Sequence, residues 1–268
     1  MSYAYMTTLC SGDAYLPGVE VLGRSLDASG TQIPKVVLAT RDVTESARKR
    51  LAALAWQVRP IEPIANPSAS NPLFARFGPV FAKLRAWEQT DFDRIVALDA
   101  DTLVLQNIDD LFARPGFAAA PDFFLPDRFN SGVMVLEPSL EVARKMRDSL
   151  AVSGSYDGGD QGFLNEFYPD WYTMPVEHRL PVGYNMANFI YQFLRAHPTL
   201  KARLESETKV VHYLVQKPWQ ARAVLTGGAA AWWQRYFEVH PAANWPGGDA
   251  LHAAEDWTFE HLAALALE

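Results

Sequence analysis

Within its first hundred residues the chain alternates repeatedly between two hydrophobic periods, and this alternation narrows the fold more than any other feature. Tyr5–Cys10 reads as a strand, and the stretch from Leu16 to Leu26 as a helix. Pro34–Thr40, carrying Val36, Val37 and Leu38, is a second strand, after which Thr44 can cap a helix through Leu54. Trp56–Ile61 is a third strand and Pro63–Pro72 a loop rich in Pro, Ser and Asn. A helix over Val80–Gln89 then leads into the run Arg94–Leu98. Strand-helix units in this order call for parallel strands covered by helices, because each parallel crossover needs a long return connection. The predicted fold class is α/β with a mostly parallel central sheet, and ligands in such sheets sit at the carboxyl ends of the strands.

At one of those ends stand Asp99 and Asp101, separated by Ala100 and followed by Thr102-Leu103-Val104-Leu105. Side chains alternate along an extended chain, so residues two apart project to the same side. Two carboxylates are therefore expected to leave the end of a buried strand together. Hard oxygen ligands so placed suit Mn²⁺ or Mg²⁺, and such an ion suits a diphosphate. A pair of solvated turn aspartates is the plainer alternative.

Downstream the pattern is less regular. Asn130-Ser131-Gly132 reads as a polar turn before a strand over Gly132–Leu136. Pro138-Ser139 opens a helix with Glu141 early and Arg144, Lys145 and Arg147 late, which suits its dipole. Lys209–Leu214 is a late strand, and Trp232, Trp233, Tyr236 and Phe237 recur at helical spacing. That stripe would also suit an acceptor- or membrane-facing patch, but such stripes are more often core, and core is expected. No repeat or linker divides the chain, so residues 1–268 are expected to form one domain, with helices from about 220 to 268 packed on it.

A chain of 268 residues can bury a sizeable core, and its net charge of −7, without a long basic block, argues against a nucleic-acid surface. A polyanionic partner would need a local positive pocket or a metal. The single Cys10 excludes an internal disulfide framework and permits a reducing compartment. Met1-Ser2-Tyr3 leads straight into a strand-like run, so no signal peptide is expected. No run of about 18 apolar residues suggests a membrane span. The expected setting is cytoplasmic.

Three further strings bear chemistry. His212 ends the late strand, and two carboxylates with one imidazole make an open site for Mn²⁺. Lys217, in Lys217-Pro218-Trp219, supplies a point positive charge for a diphosphate. Gly158-Gly159-Asp160-Gln161-Gly162 combines glycines that let a backbone approach a ligand with an acceptor and an amide fork suited to sugar hydroxyls. Its glycine spacing is not a dinucleotide fingerprint. Lys83, ahead of the aspartate strand, faces either the same pocket or solvent.

In order, these strings resemble glycosyltransferase family 8, the group of glycogenin, galactinol synthase and the plant inositol-phosphoceramide glucuronosyltransferases. The resemblance is carried by residues 98–105 around Asp99-Ala100-Asp101, Asn107–Phe112, Phe129–Val133, Gly158–Gly162 and Val211-His212 with Lys217-Pro218-Trp219. Asp13-Ala14-Tyr15 and Val21–Leu26 extend it to the amino terminus, so it spans residues from about 4 to 220. It implies a single GT-A domain, Rossmann-like, and a retaining, Mn²⁺-dependent transfer from UDP-glucose, UDP-galactose or UDP-glucuronate to an acceptor hydroxyl of a saccharide, cyclitol or lipid head group. The oligomeric state is left open, a dimer included. By the same resemblance Asp99, Asp101 and His212 would hold the metal, and the backbone of Ala100 would lie near the ribose. Leu9, Ser11, Gly12 and Tyr15 would line the uridine site. Lys83, Asn130, Ser131, Asp157, Asp160 and Gln161 would contact the donor sugar, and Lys217 the diphosphate. Asp160, Gln161 and Lys217 would be the catalytic groups, with Asp160 serving as nucleophile or as electrostatic support.

Two departures accompany the match. Ser11-Gly12 stands where glycogenin has Thr-Asn, and the segment from His212 to Lys217, with Val215-Gln216, is one residue short and lacks a glycine. Two other functions compete. Asp99-Ala100-Asp101-Thr102 also satisfies the Asp-x-Asp-x-Thr hallmark of haloacid-dehalogenase phosphatases, but three strand-helix units precede it here and the downstream acid pair is missing. A non-catalytic sugar-nucleotide binder on the same fold is disfavoured by the complete set of metal and sugar motifs. Tyr191 lies near the region where glycogenin glucosylates its own tyrosine, but the local sequence matches poorly and an ordinary tyrosine is expected there.

Overall fold

A computed structural model describes residues 1–67, 80–150, 152, 155–190, 197–214, 217–219 and 230–241. Its centre is a six-stranded sheet of order β3-β2-β1-β4-β7-β6. The strands are β1 (Tyr3–Leu9), β2 (Lys35–Thr40), β3 (Trp56–Ile61), β4 (Arg94–Leu98), β6 (Phe117–Pro121) and β7 (Phe129–Leu136). The pairings of β3, β2, β1 and β4 are parallel, while β7 runs antiparallel to both β4 and β6. Five of the six strands thus share one direction. In β2 and β7 every residue is buried, as expected where both faces of a sheet are covered.

Neighbouring residues of one strand serve opposite layers. Val37, Val96 and Val135 face α1 (Leu16–Ala28) and α2 (Glu45–Ala53), packing on Val19, Leu22, Leu26 and Leu51. Val36, Ile95 and Met134 face Phe81, Trp87 and the helices α3 (Leu140–Leu150) and α4 (Asp160–Phe167). Thr44 caps α2 as expected, its hydroxyl accepting the Ala47 N–H at 3.1 Å. The helix expected over Val80–Gln89 is present as a 3-10 helix, Val80–Glu88. Asn130-Ser131-Gly132 is not a turn before β7 but part of it, and the late strand is shorter than expected, Val210–His212.

A small second sheet, of order β5-β9-β8, sits beside the first. It joins β5 (Thr102–Val104), β9 (Val210–His212) and β8 (Met186–Ala187). Helix α5 (Pro198–Glu207) precedes β9, and α6 (Ala230–Val239) packs on α1. Trp232 and Trp233 of α6 are buried against Val21, Leu103, Val211 and Tyr213, with Tyr236 and Phe237 partly buried beside them, so the aromatic stripe is core. No helix among the described residues is long and apolar enough to cross a membrane. Tyr191, Val215-Gln216 and the helices expected beyond residue 241 lie outside the described residues.

Candidate active site

The strand order reverses between β1 and β4, and the crevice at their carboxyl ends is where an α/β sheet binds ligands. Asp99 follows β4 directly, and its N–H donates to the Gly132 carbonyl at 2.8 Å. Asp99 and Asp101 do not converge by strand alternation. The chain turns instead: the Thr102 N–H and hydroxyl both donate to the Asp99 carbonyl, at 3.1 and 2.7 Å, closing a tight reversal between β4 and β5. Gly18 of α1 lets this turn sit close, since a Cβ there would lie 2.3 Å from the Ala100 carbonyl and 2.7 Å from the Trp219 ring.

The pairing of β5 with β9 brings in the imidazole. Thr102 lies opposite His212, and the Tyr213 N–H donates to the Asp101 carbonyl at 2.9 Å. His212 Nε2 is 3.3 Å from Asp101 Oδ1 and 3.9 Å from Asp99 Oδ2, and one ligand atom from each of the three residues lies within 4.8 Å of the others. Two carboxylates and an imidazole without a thiolate suit Mn²⁺ or Mg²⁺, so these residues could hold such an ion.

Two lysines neutralise the acids from either side. Lys83 Nζ lies 2.7 Å from Asp99 Oδ1 and 2.6 Å from Asp160 Oδ2, and it also reaches Ser131. Burial alone would lower the Lys83 ammonium, but Asp160 and Asp99 outweigh it and hold the group above its usual range. Lys217 Nζ is 2.5 Å from Asp101 Oδ2 and donates to the Tyr213 carbonyl at 2.7 Å. Burial works against the Asp101 carboxylate, yet His212 and Lys217 keep it well below the ordinary carboxylate range. Asp99 goes the other way: burial raises it, with Asp101 and Asp160 adding to the shift against the pull of Lys83. Among the described residues the carboxylates Asp99, Asp101 and Asp160 outnumber the ammonium groups of Lys83 and Lys217 that neutralise them, so an approaching diphosphate meets repulsion from the acids unless a cation joins it.

Opposite the acids, β7 and the first turn of α4 present polar groups. Ser131 Oγ donates to Asp160 Oδ2 at 2.9 Å, and Gln161 Oε1 accepts the Ser131 N–H at 3.3 Å. Gly158 has φ +73, the left-handed conformation that favours glycine, and Gly159 is the N-cap, so Asp160 and Gln161 begin the helix. The Asp157 carboxylate faces its own loop, where Oδ1 accepts from Ser155 Oγ and from the N–H groups of Gly159 and Gly162, at 2.7 to 3.0 Å. At the end of β1, Leu9 is buried, Ser11 and Gly12 both have positive φ, and the Gly12 N–H donates to Asp42 at 2.7 Å. Tyr15 meets Trp219 edge-on at 5.4 Å.

Sequence reasoning missed two members of this cluster, Asp122 and Asn185. Asp122 Oδ2 accepts from Asn130 Nδ2 at 3.1 Å and from Gln161 Nε2 at 3.3 Å. Asn185 Oδ1 is 2.9 Å from His212 Nδ1. Neither carries a local motif; both are a polar residue at the end of an element, a pattern shared by many turns.

Protein-family models give no match to the chain. It is 41% identical over 246 residues to Glycogenin-1 of Caenorhabditis elegans, a match that covers 90% of this chain and 56% of that protein. It is 34% identical over 261 residues to Inositol phosphorylceramide glucuronosyltransferase 1 of Arabidopsis thaliana, covering 90% of this chain and 45% of that one. The chain thus spans about half the length of these curated relatives. A crystal structure of the galactosyltransferase LgtC with donor and acceptor sugar analogues superposes with a TM-score of 0.62 at 20% identity, covering 90% of this chain and 96% of that one, and shares the GT-A fold.

Proposed function

The chain belongs to the glycogenin-like group of glycosyltransferase family 8, and on that premise we propose that it is a retaining, Mn²⁺-dependent transferase. It moves a glucosyl or glucuronosyl group from a UDP-sugar to an acceptor hydroxyl. The observation that carries this reading is the convergence of Asp99, Asp101 and His212, contributed by the turn after β4 and by a strand more than a hundred residues later, within 4.8 Å of one another. Residues so distant in sequence have no structural need to pool two acids and an imidazole beside two lysines.

Asp99, Asp101 and His212 would hold the cation, which supplies charge neutralisation at the leaving diphosphate. Lys217 lies on the same side and adds a positive charge fixed by the protein. Ser11, Gly12, Tyr15 and the backbone of Ala100 and of Leu9, whose side chain is buried in the core, would line the mouth where the uridine lies. Lys83, Asn130, Ser131 and Gln161 orient the donor sugar, and Asp157 acts on it through the loop that it braces. Asp160, steadied by Lys83 and Ser131, faces the sugar as an electrostatic support for positive charge at its anomeric carbon. The departing phosphate can take the acceptor proton, so no separate base is required.

The test is UDP release from UDP-glucose, UDP-galactose and UDP-glucuronate, with Mn²⁺ and with EDTA. Metal-dependent turnover of at least one donor is expected, and Asp101→Asn should lower it ~10²-fold or more with an unchanged circular dichroism spectrum. Equal turnover in EDTA, or in that variant, would end the proposal.

A further inference from the structure

A continuous hydrogen-bond chain runs from the imidazole of His212 to the amide of Gln161. His212 Nδ1 meets Asn185 Oδ1 at 2.9 Å, and Asn185 Nδ2 donates to Asn130 Oδ1 at 2.8 Å. Asn130 Nδ2 donates to Asp122 Oδ2 at 3.1 Å, and Gln161 Nε2 donates to the same oxygen at 3.3 Å. His212, Asn185, Asn130 and Asp122 are all buried, so water does not compete for these groups.

The direction of the chain is set at its anionic end. An ionised carboxylate only accepts, and Asp122 Oδ1 is already taken by the N–H groups of Phe124 and Leu125 at 2.9 and 3.1 Å. Asn130 must therefore turn its NH₂ toward Asp122 and its oxygen toward Asn185, where the Gly132 N–H also binds that oxygen at 2.9 Å. Asn185 must then offer its NH₂ to Asn130 and its oxygen to the ring. An acceptor beside Nδ1 requires a proton on Nδ1, which frees the Nε2 lone pair for an ion held between the ring and the Asp99 and Asp101 carboxylates.

We propose that Asn185 and Asp122 are positioning residues that fix His212 as the Nδ1–H tautomer, and that the same chain seats Gln161. The metal-binding and sugar-facing sides of the crevice are then oriented by one carboxylate that touches neither the ion nor the ring. This inference rests on the metal role proposed above for His212, but the tautomer is measurable without any metal or substrate.

Long-range ¹H–¹⁵N spectra of the full, metal-free chain at pH 8 read the tautomer, and Mn²⁺ titration followed by electron paramagnetic resonance reads the consequence. Wild type is expected to carry its His212 proton on Nδ1. Asn185→Ala should give a mixed or reversed tautomer and bind Mn²⁺ 10- to 100-fold more weakly. Asn185→Asp keeps an acceptor at Nδ1 but loses the donor to Asn130 Oδ1, so it should restore the Nδ1 proton and part of the Mn²⁺ affinity. Asp122→Asn supplies an NH₂ that must face either two backbone N–H groups or two side-chain amides. The amides can flip only by giving up their bonds from the Gly132 and Ser131 N–H groups, so the His212 tautomer should become mixed although His212 and its direct partner are unaltered. A wild-type Nδ1 without a proton, or Asn185→Ala with wild-type tautomer and affinity, overturns the proposal. An unmoved tautomer in Asp122→Asn overturns the role given to Asp122. Should Asn185→Ala not fold, Asn185→Asp and Asp122→Asn carry the test. A correct tautomer in a protein that binds Mn²⁺ but turns over no UDP-sugar would instead count against the proposed function alone.

Discussion

Gly132 offers the most direct physical test of the crevice, because one methyl group placed there collides with the imidazole. A Cβ on Gly132 would lie 2.2 Å from His212 Cε1 and 2.4 Å from Nδ1, with Asn130 Oδ1 at 3.0 Å. An ordinary contact begins near 3.4 Å, so in Gly132→Ala the ring must retreat by about 1.2 Å or β7 must bend. Bending is resisted by the pairings of Leu98 with Val133 and of Ala97 with Met134, so the ring moves. A displacement of that size breaks its 2.9 Å contact with Asn185 and takes Nε2 away from Asp101, now 3.3 Å distant. Overpacking of this kind costs about 1–3 kcal/mol of stability, which lowers the melting temperature by several degrees. Mn²⁺ affinity should fall 10- to 100-fold, as for loss of an outer-shell partner. Calorimetric melting and Mn²⁺ titration of the same sample measure both. A variant that binds Mn²⁺ like wild type and melts within 1 °C of it would refute the packing argument, since a methyl group cannot share that volume with the ring.

Other perturbations reach other parts of the molecule. Lys217 occupies Asp101 when no cation is present, so Lys217→Ala should tighten Mn²⁺ binding in the absence of nucleotide while weakening UDP binding; changes of the same sign in both titrations contradict this. Burial, followed by Asp42, pushes the Cys10 thiol up to about 11. Its thiolate is therefore scarce at pH 7.5, and alkylation by iodoacetamide should run roughly 300-fold slower than for a free thiol of pKa ~8.5, gaining tenfold per pH unit until about pH 11. A plateau near pH 9 would show the burial argument to be wrong. Because the folded value lies above the unfolded one, the neutral thiol's contribution to stability is complete below about pH 8.5 and fades as the pH rises toward 11. Thr44→Ala removes the cap of α2 and the partner of Asp13 Oδ2 at 2.6 Å, so chemical denaturation should register a loss of about 1 kcal/mol that Thr44→Ser largely restores. Trp232→Ala should cost about 3–5 kcal/mol in the same assay, whereas a surface docking role would leave stability nearly unchanged.

Much of the fold was legible because its signals are local. The runs Lys35–Thr40, Trp56–Ile61 and Arg94–Leu98 are short and rich in β-branched or aromatic residues, and Thr44 carries its own capping chemistry. Val80–Glu88 has a helical pattern of apolar residues, but a 3-10 and an α-helix bury similar stripes over two turns. Asn130 and Ser131 look like turn residues on composition, yet β7 absorbs them because their side chains find partners in Asp122, Asn185 and Asp160.

The order of residues alone determined the layered sheet, a site at the carboxyl end of the strand that the aspartates follow, and the kinds of group available there, since hydrophobic period and side-chain chemistry are properties of short segments. Only the tertiary structure decided how those groups meet. The two aspartates converge through a turn rather than along a strand, His212 arrives by pairing across more than a hundred residues, and Asp122 and Asn185 act through contacts that no local pattern encodes. Such contacts depend on register and close packing between distant segments, and these exist only once the chain has folded.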